Sequence, residues 1–518
     1  MKHEPRTSSP RSSLSPMPGE RIREKGTKIG FVNLGCSKNQ VDSEIMLGQL
    51  VAGGFELTSR PEQAEVVIIN TCGFIEEAKQ ESINTILEHA ELKKTGACRV
   101  LIAAGCLAQR YQGDLLQELP ELDGIVGTGE FGKIADITRS LLQPKQPAQR
   151  SWISPPPFLY DAMAPRIRLG RAHSAYVKIA EGCNRHCTFC AIPIMRGRQR
   201  SRSIESIVAE AERLAEEGVQ ELNLISQDTI NYGVDLGLRQ GLTLLLRELV
   251  KVKDMRWIRP FYLYPQQVTD ELLDLYAGEE KITKYIDMPL QHINDAMLIR
   301  MRRLGDKAFL TKLVERIRSR IPGVTFRTAF IVGFPGETEA MFDELAQFME
   351  EAAFDRVAVF GYSDEEETPA CDLHGKIDQS VIEERRSELL NRQETIALRQ
   401  SLGKVGSTLS VLVDGLSEDN EFLLEGRHEG QAPEIDGVVY LSESDVEPGE
   451  FVQVKITEAT AYDLVGQAIE PVRTRSKAGL QTRPGPSAPQ ARRAPSAPQM
   501  RRESSVVPLI MPTKVRAQ

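Results

Sequence analysis

A chain of 518 residues, 41% hydrophobic and 26% charged with a net charge of −9, is too long for one ordinary core and has the composition of a soluble, multi-domain protein. Its longest apolar stretch, near GLTLLLRELV, is broken by Arg247 and Glu248, which excludes a membrane helix of roughly 20 apolar residues, and MKHEPRTSSPRSSLSPMPGE lacks the apolar segment of a secretory signal. A cytoplasmic protein is expected, and in that reducing compartment eight cysteines point to metal or redox chemistry rather than to disulfides.

Residues 1–27 are rich in Ser, Pro and Arg without apolar periodicity and read as a disordered arm. From Lys28 the chain alternates IGFVNLGC, an amphipathic stretch through DSEIMLGQLVAGG, VVIINTC, a helical stretch from Phe74 to Lys94, and RVLIAAGC. Strands alternating with helices predict a parallel sheet, here an α/β domain over residues 28–146. Cys36, Cys72 and Cys106 each follow an apolar run, so all three fall at the carboxyl edge of that sheet, where open α/β folds bind ligands.

The stretch 147–168, with WISPPPFLYDAMAPR, reads as a proline-rich linker. Residues 169–401 carry six strand-like segments with helical patterns between them: AYVKIAEGC, VQELNLISQD, MRWIRPFYLYP, KYIDMPLQ, VTFRTAFIVGFPGE and DRVAVFGYS. They predict a partial or full (βα) barrel with its chemistry at the carboxyl ends of the strands. The first of those ends carries Cys183, Cys187 and Cys190 in EGCNRHCTFC. After the charged helical run EERRSELLNRQETIALRQSL, residues 402–472 change to short strands, STLSVLVDG, FLLEGR, GVVYLS and FVQVKITEAT, which predict a small all-β barrel of OB-like size. The last segment, 473–518, with its APSAPQ and RR pieces, is of low complexity and expected to be disordered.

Charge is unevenly spread. Leu402 to Val472 hold fifteen Asp/Glu against three Lys/Arg, a net of −12, whereas Arg473 to Gln518 hold ten Lys/Arg against one acid, a net of +9. A barrel this acidic would repel RNA and suits a strongly basic protein partner. The plainer reading is that these charges solvate an exposed face, and the plainer reading of the tail is a dispensable extension.

Three thiolates converging without a fourth protein ligand leave one iron of a 4Fe-4S cube open to another ligand. For Cys183, Cys187 and Cys190 the alternative is structural zinc with His186 as fourth ligand, although no second knuckle lies nearby. For Cys36, Cys72 and Cys106 the alternative is three buried core thiols. Phe189 either offers an aromatic edge to a bound adenine or packs the loop. His292, after an apparent strand end, either lines the cofactor site or, with no paired acid evident, is a packing residue, and Tyr232 and Asp235 in ISQDTINYGVD read as substrate contacts or turn residues. Cys98 and Cys371 read as core or incidental thiols.

The CxxxCxxC loop after the first strand of a βα barrel resembles the radical S-adenosylmethionine superfamily. AFIVGFPGE is similar to that superfamily's glycine-containing cofactor-contact strand, which makes Gly333 and Gly336, with Phe189, the expected cofactor-binding residues; a tight strand-to-helix turn explains both glycines equally well. The resemblance implies that Cys183, Cys187 and Cys190 hold a 4Fe-4S cluster that binds S-adenosylmethionine, and that a 5′-deoxyadenosyl radical abstracts hydrogen inside the barrel, so no catalytic side chain is named. LGCSKNQVDSE, INTCGFIEEAKQES and AAGCLAQRY resemble the N-terminal domain of the methylthiotransferases, which implies that Cys36, Cys72 and Cys106 hold a second 4Fe-4S cluster carrying the sulfur to be inserted. The likeness spans about residues 28–472 and includes a barrel like the TRAM domain. LGCSKNQVDSE, ISQDTINYGVD and KYIDMPLQH look like the RimO branch of that family, which converts an aspartate of small-subunit ribosomal protein S-twelve to 3-methylthioaspartate at its β-carbon. The same resemblance implies a low-potential electron donor such as flavodoxin or ferredoxin, a monomeric chain and no membrane. A tRNA adenosine methylthiotransferase and a non-catalytic iron-sulfur sensor are the alternatives.

Overall fold

The computed structural model describes residues 26–471 apart from 144–148, 156–157, 418–419, 421 and 443–445. The expected N-terminal arm up to residue 25 and the basic tail lie outside the described residues.

Six parallel strands form the first sheet, in the spatial order Glu56–Leu57, Lys28–Asn33, Val66–Thr71, Val100–Gly105, Gly124–Val126, Ser151–Trp152. Val66–Thr71 and Val100–Gly105 are buried along their whole length. Their side chains divide between two apolar clusters, one with Ile68 and Ile102 against Met46 and Ile134, the other with Val67 and Leu101 against Ile86 and Leu107. A strand covered on both faces reads as a continuous apolar run, which is why VVIINT and VLIAAG show no alternation.

The stretch expected as a linker is packed where it is described. Ser151–Trp152 pairs with Gly124–Val126 as the last strand of the sheet, and Tyr160 is buried. Arg166 lies 2.5 Å from Glu44 on helix Ser37–Ala52 and 2.6 Å from Glu210 on helix Ile204–Glu216, so it joins the first domain to the second.

The second unit is a partial barrel. Strands Ser174–Lys178, Glu221–Ile225 and Trp257–Pro260 form one parallel sheet, and Tyr285–Asp287, Thr325–Val332 and Arg356–Gly361 another; an isolated Ile258–Ile282 bridge joins them. Among the described residues the first and last of these strands do not pair, so the barrel is open there.

The third unit is a closed five-stranded barrel of Thr408–Leu416, Leu423–His428, Val439–Ser442, Phe451–Ala459 and Leu464–Pro471. Only four of these strands show in the sequence pattern. Leu464–Pro471 turns Ile469 out to solvent and sets Gly466 against Val454, so its alternation is weak. Arg427 of this barrel is buried between Asp414 (2.7 Å) and Glu221 of the second unit (2.7 Å), and Arg259 also reaches Glu221 (3.1 Å). Among the described residues no helix is long and apolar enough to cross a membrane.

Candidate iron-sulfur sites

Strands Lys28–Asn33, Val66–Thr71 and Val100–Gly105 are immediate neighbours, so the three turns after them open side by side. Cys36 caps helix Ser37–Ala52, Cys72 directly follows its strand, and Cys106 opens helix Cys106–Glu118. The glycines in LGC and AGC are required here. Gly35 sits at φ +86° with its absent Cβ 3.0 Å from the Cys72 Cβ, and Gly105 at φ +100° with its absent Cβ 2.4 Å from Asn70 Oδ1, so any side chain would push the turns apart. Asn39 ties the turns together by donating to the carbonyls of Leu34 and Thr71, 3.0 Å each.

Burial, reinforced by Cys106 and Cys36, pushes the Cys72 thiol up to about 12. Burial likewise raises Cys106 to about 11, against the opposing pull of Arg196. Thiols that repel one another's anions are a poor nucleophile set, and a bound cation would relieve that repulsion by replacing their protons. Cys36 is exposed, so the trio reaches the surface at one corner.

The compact trio lies on the loop after Ser174–Lys178, at the mouth of the partial barrel. Burial raises Cys183 to about 11, and burial together with Cys187 raises Cys190 to about 12. The backbone N–H of Arg185 points at Cys183 Sγ (3.4 Å), and Arg303 stands 3.8 Å from Cys187 Sγ. Arg185 and Arg303 also cover the Tyr264 ring at 3.9 and 4.1 Å, and Arg185 pairs with the buried Asp228 at 2.6 Å. Donors and cations around a thiolate set offset the charge of a bound cluster. His186 is exposed, and among the described residues no three Cys, His, Asp or Glu side chains are arranged to hold a single metal ion. A cube bonds each thiolate to a different iron and therefore asks for a wider trio than one zinc ion does.

The two trios are linked. Helix Ile192–Arg196 follows Cys190 and lays Ala191 and Met195 against Cys106. Its last residue, the fully buried Arg196, donates to Cys106 Sγ (3.1 Å), Asn39 Oδ1 (2.6 Å) and Asp42 Oδ2 (2.6 Å). Lys178, also buried, holds Asp42 and Glu181 at 2.5 Å each. Burial alone would push Glu181 up, but Lys178 and Arg196 more than reverse it and leave it at about 2. Two cations and two carboxylates thus close the seam between the cysteine sites.

Phe189 meets Phe334 edge to face, with centroids 6.5 Å apart, so the cysteine loop adjoins the GFPG segment. Each glycine there also has a packing cause. A Cβ on Gly333 (φ +74°) would strike Ile382 of helix Gln379–Leu402 at 2.3 Å, and one on Gly336 (φ +85°) would meet the Arg300 guanidinium at 3.1 Å. His292 does have a paired acid: it is buried with Nε2 3.0 Å from Glu337, which Arg385 holds at 2.7 Å. Tyr232 donates to the Arg202 carbonyl and Asp235 accepts from the Ser201 N–H, 2.7 Å each, so both anchor the loop they lie on. Cys98 belongs to the first domain's core. Asn39, Asp42, Lys178, Glu181 and Arg196 escape sequence reading. Their only sequence signal is closeness to a cysteine: Asn39 and Asp42 lie in CSKNQVD, and Glu181 is two residues before Cys183.

Comparison with known proteins covers the same three units. Residues 28–127 match the uncharacterized protein family UPF0004, 177–349 the radical SAM superfamily, and 405–469 the TRAM domain. The chain is 49% identical over 449 residues to the ribosomal protein uS12 methylthiotransferase RimO of Solibacter usitatus, covering 86% of this chain and 95% of that protein. It is 46% identical to the protein of the same name from Syntrophotalea carbinolica, with 86% and 97% covered, and 47% identical to that of an Anaeromyxobacter species, with 90% and 97% covered. With nearly half of all residues shared along almost the full length of these relatives, the chain belongs to the RimO family of radical S-adenosylmethionine methylthiotransferases.

Proposed function

We propose that this enzyme methylthiolates the β-carbon of an aspartate in ribosomal protein S-twelve, using two 4Fe-4S clusters, one on Cys36, Cys72 and Cys106 and one on Cys183, Cys187 and Cys190. The observation that carries the two-cluster reading is the pair of cysteine trios, one on three neighbouring strand ends and one on a single loop, joined through Arg196. When bound, the cluster of the compact trio with S-adenosylmethionine supplies the hydrogen-abstracting radical, and that of the dispersed trio supplies the sulfur. Arg196 holds Cys106 and, through Asp42, fixes the first domain against the loop that carries the compact trio. Arg185 donates its backbone N–H to Cys183, and Arg303 presents a cationic donor beside Cys187. Phe189, Gly333 and Gly336 shape the cofactor side of the barrel mouth. A low-potential donor such as flavodoxin or ferredoxin, a monomeric state and a cytoplasmic location complete the proposal.

The substrate is named from the relatives, whose printed activity is on uS12. The test is mass spectrometry of ribosomal protein S-twelve from cells with and without this gene. A methylthio group on one aspartate, absent in the deletion strain, is expected; an unmodified protein in both strains refutes it.

A further inference from the structure

Lys38 stands in the first turn of helix Ser37–Ala52, two residues after Cys36, and is 92% buried. Its Nζ lies 2.9 Å from the centre of the Tyr262 ring, and among the described residues it has no carboxylate within ion-pair distance. Two features make this an unfavourable place for a cation, and a third marks the ring beneath it as held in place. A helix N-terminus carries positive partial charge, which disfavours a lysine in the first turn. A buried ammonium is ordinarily paired with an anion. The ring beneath it belongs to a residue held at φ +59°, in the left-handed region that tyrosine seldom adopts.

That backbone is pinned from both sides. Tyr262 N–H donates to Asp287 Oδ2 (3.0 Å), and its carbonyl accepts from Thr229 N–H (3.1 Å). Asp287 ends one barrel strand and Thr229 lies in the turn that follows another, so the Tyr262 ring and the lysine above it lie at the barrel mouth. Lys178 and Arg196, buried between the cysteine sites, and the partly buried Arg185 have carboxylate partners, whereas the buried Arg303 beside Cys187 has the Pro289 carbonyl and the Tyr264 ring. Lys38, by contrast, has neither a carboxylate nor a carbonyl acceptor among the described residues, and it lies next to the one exposed thiol of the dispersed trio.

We propose that Lys38 binds the side-chain carboxylate of the target aspartate, and so selects an acidic residue and holds its β-carbon beside the sulfur-donating site. The inference rests on the substrate reading above and goes beyond it by naming the residue that recognises the substrate. Tyr262 gives the ammonium a partner on one side while leaving its other donors free for an arriving anion. A carboxylate held there replaces water with a charge-assisted hydrogen bond, and the β-carbon is one bond from that carboxyl carbon.

The experiment uses reconstituted holoenzyme with ribosomal protein S-twelve, and with the same protein bearing Asn at the target position, against wild type, Lys38→Met and Lys38→Arg. The wild type should strongly prefer the aspartate protein. In Lys38→Met the KM for that protein should rise roughly ten- to a hundredfold, the worth of one charge-assisted hydrogen bond. The preference over the asparagine protein should collapse, and Lys38→Arg should restore part of both. Iron content and the electron paramagnetic resonance spectra of both clusters should match the wild type. An unchanged KM, or an equal loss for both proteins, overturns the inference, as does an altered spectrum of the N-terminal cluster, which would make Lys38 a partner of the cluster instead. If wild-type holoenzyme leaves S-twelve unmodified, the substrate reading fails and takes this inference with it; modification indifferent to Lys38 defeats the inference alone.

Discussion

Replacing Arg196 by Leu tests the seam between the cysteine sites. The guanidinium is buried and donates to Asp42, Asn39 and Cys106 at 2.6, 2.6 and 3.1 Å, with a longer contact to Glu181 at 3.3 Å. Removing one partner of a buried ion pair costs about 3–5 kcal/mol, because the remaining charge is left desolvated. Here Lys178 stays 2.5 Å from both Asp42 and Glu181, so each carboxylate keeps one cation and the cost belongs at the low end, about 3 kcal/mol. Lys at this position keeps the charge but not the fork that spans Asp42 and Asn39, and should cost about 1.5–3 kcal/mol, the worth of one charged hydrogen bond. The assay is anaerobic urea unfolding of the metal-free protein. Trp152 on the edge of the first sheet and Trp257 in the second unit report on the two domains. The two transitions should separate in Arg196→Leu as the domains uncouple. Asp42→Asn combined with Arg196→Leu should destabilise by less than the sum of the two single changes, because they share one contact. A loss under about 1 kcal/mol, or strict additivity, would refute the argument that this network holds the domains together.

Cys183→Ala should abolish 5′-deoxyadenosine formation, whereas Cys72→Ala should retain S-adenosylmethionine cleavage and lose sulfur insertion; normal methylthiolation by Cys72→Ala would remove the second cluster from the proposal. Burial, with Lys404 and Arg356 nearby, lowers His428 from 6.5 to about 3, and its Nδ1 accepts from the Gly430 N–H, so the folded ring is neutral. A group whose folded pKa is depressed leaves the unfolded chain binding more protons between those values, so stability should fall by about 1.4 kcal/mol per pH unit below 6.5. Unfolding midpoints in urea between pH 5 and 8 measure this, and His428→Gln should flatten the slope; an unchanged slope counts against a neutral ring. Glu447, Glu450 and Glu458 are exposed on the C-terminal barrel, and changing all three to Gln should slow association with the basic substrate protein at low salt while leaving the folded state unperturbed. An association rate equal to wild type at about one Debye length of 10 Å, near 0.1 M salt and below, would assign those charges to solvation alone.

The fold was legible wherever burial wrote a run into the chain. Strands covered on both faces appear as VVIINT and VLIAAG, and a cysteine placed directly after such a run is located by it. Short edges left no such trace. Ser151–Trp152 is two residues long, and Leu464–Pro471 spends its pattern on Gly466 and an exposed Ile469. The charge network was invisible for a different reason. Asp42 is 136 residues from Lys178 and 154 from Arg196, and a polar residue that finds its partner only in three dimensions looks the same in sequence as one that faces water. His292 shows this at shorter range, since Glu337 lies 45 residues away.

The same distinction bears on the acidity of the C-terminal barrel. Of its fifteen acids, Asp414 is buried against Arg427 and His173, and Asp436 accepts from Tyr285 and the Ala432 N–H inside the seam with the second unit. These two carboxylates serve docking between domains and present no field to a partner. Glu425 is drawn toward Arg171 at 3.0 Å. The net of −12 therefore overstates what an approaching protein meets, and the barrel's excess can steer a basic partner without choosing the residue to be modified. Choice at the level of one side chain needs a charge at the reacting site, inside the barrel mouth and shielded from salt. Among the described residues Lys38 fits that requirement: a buried cation beside Cys36 whose only near partner is an aromatic ring.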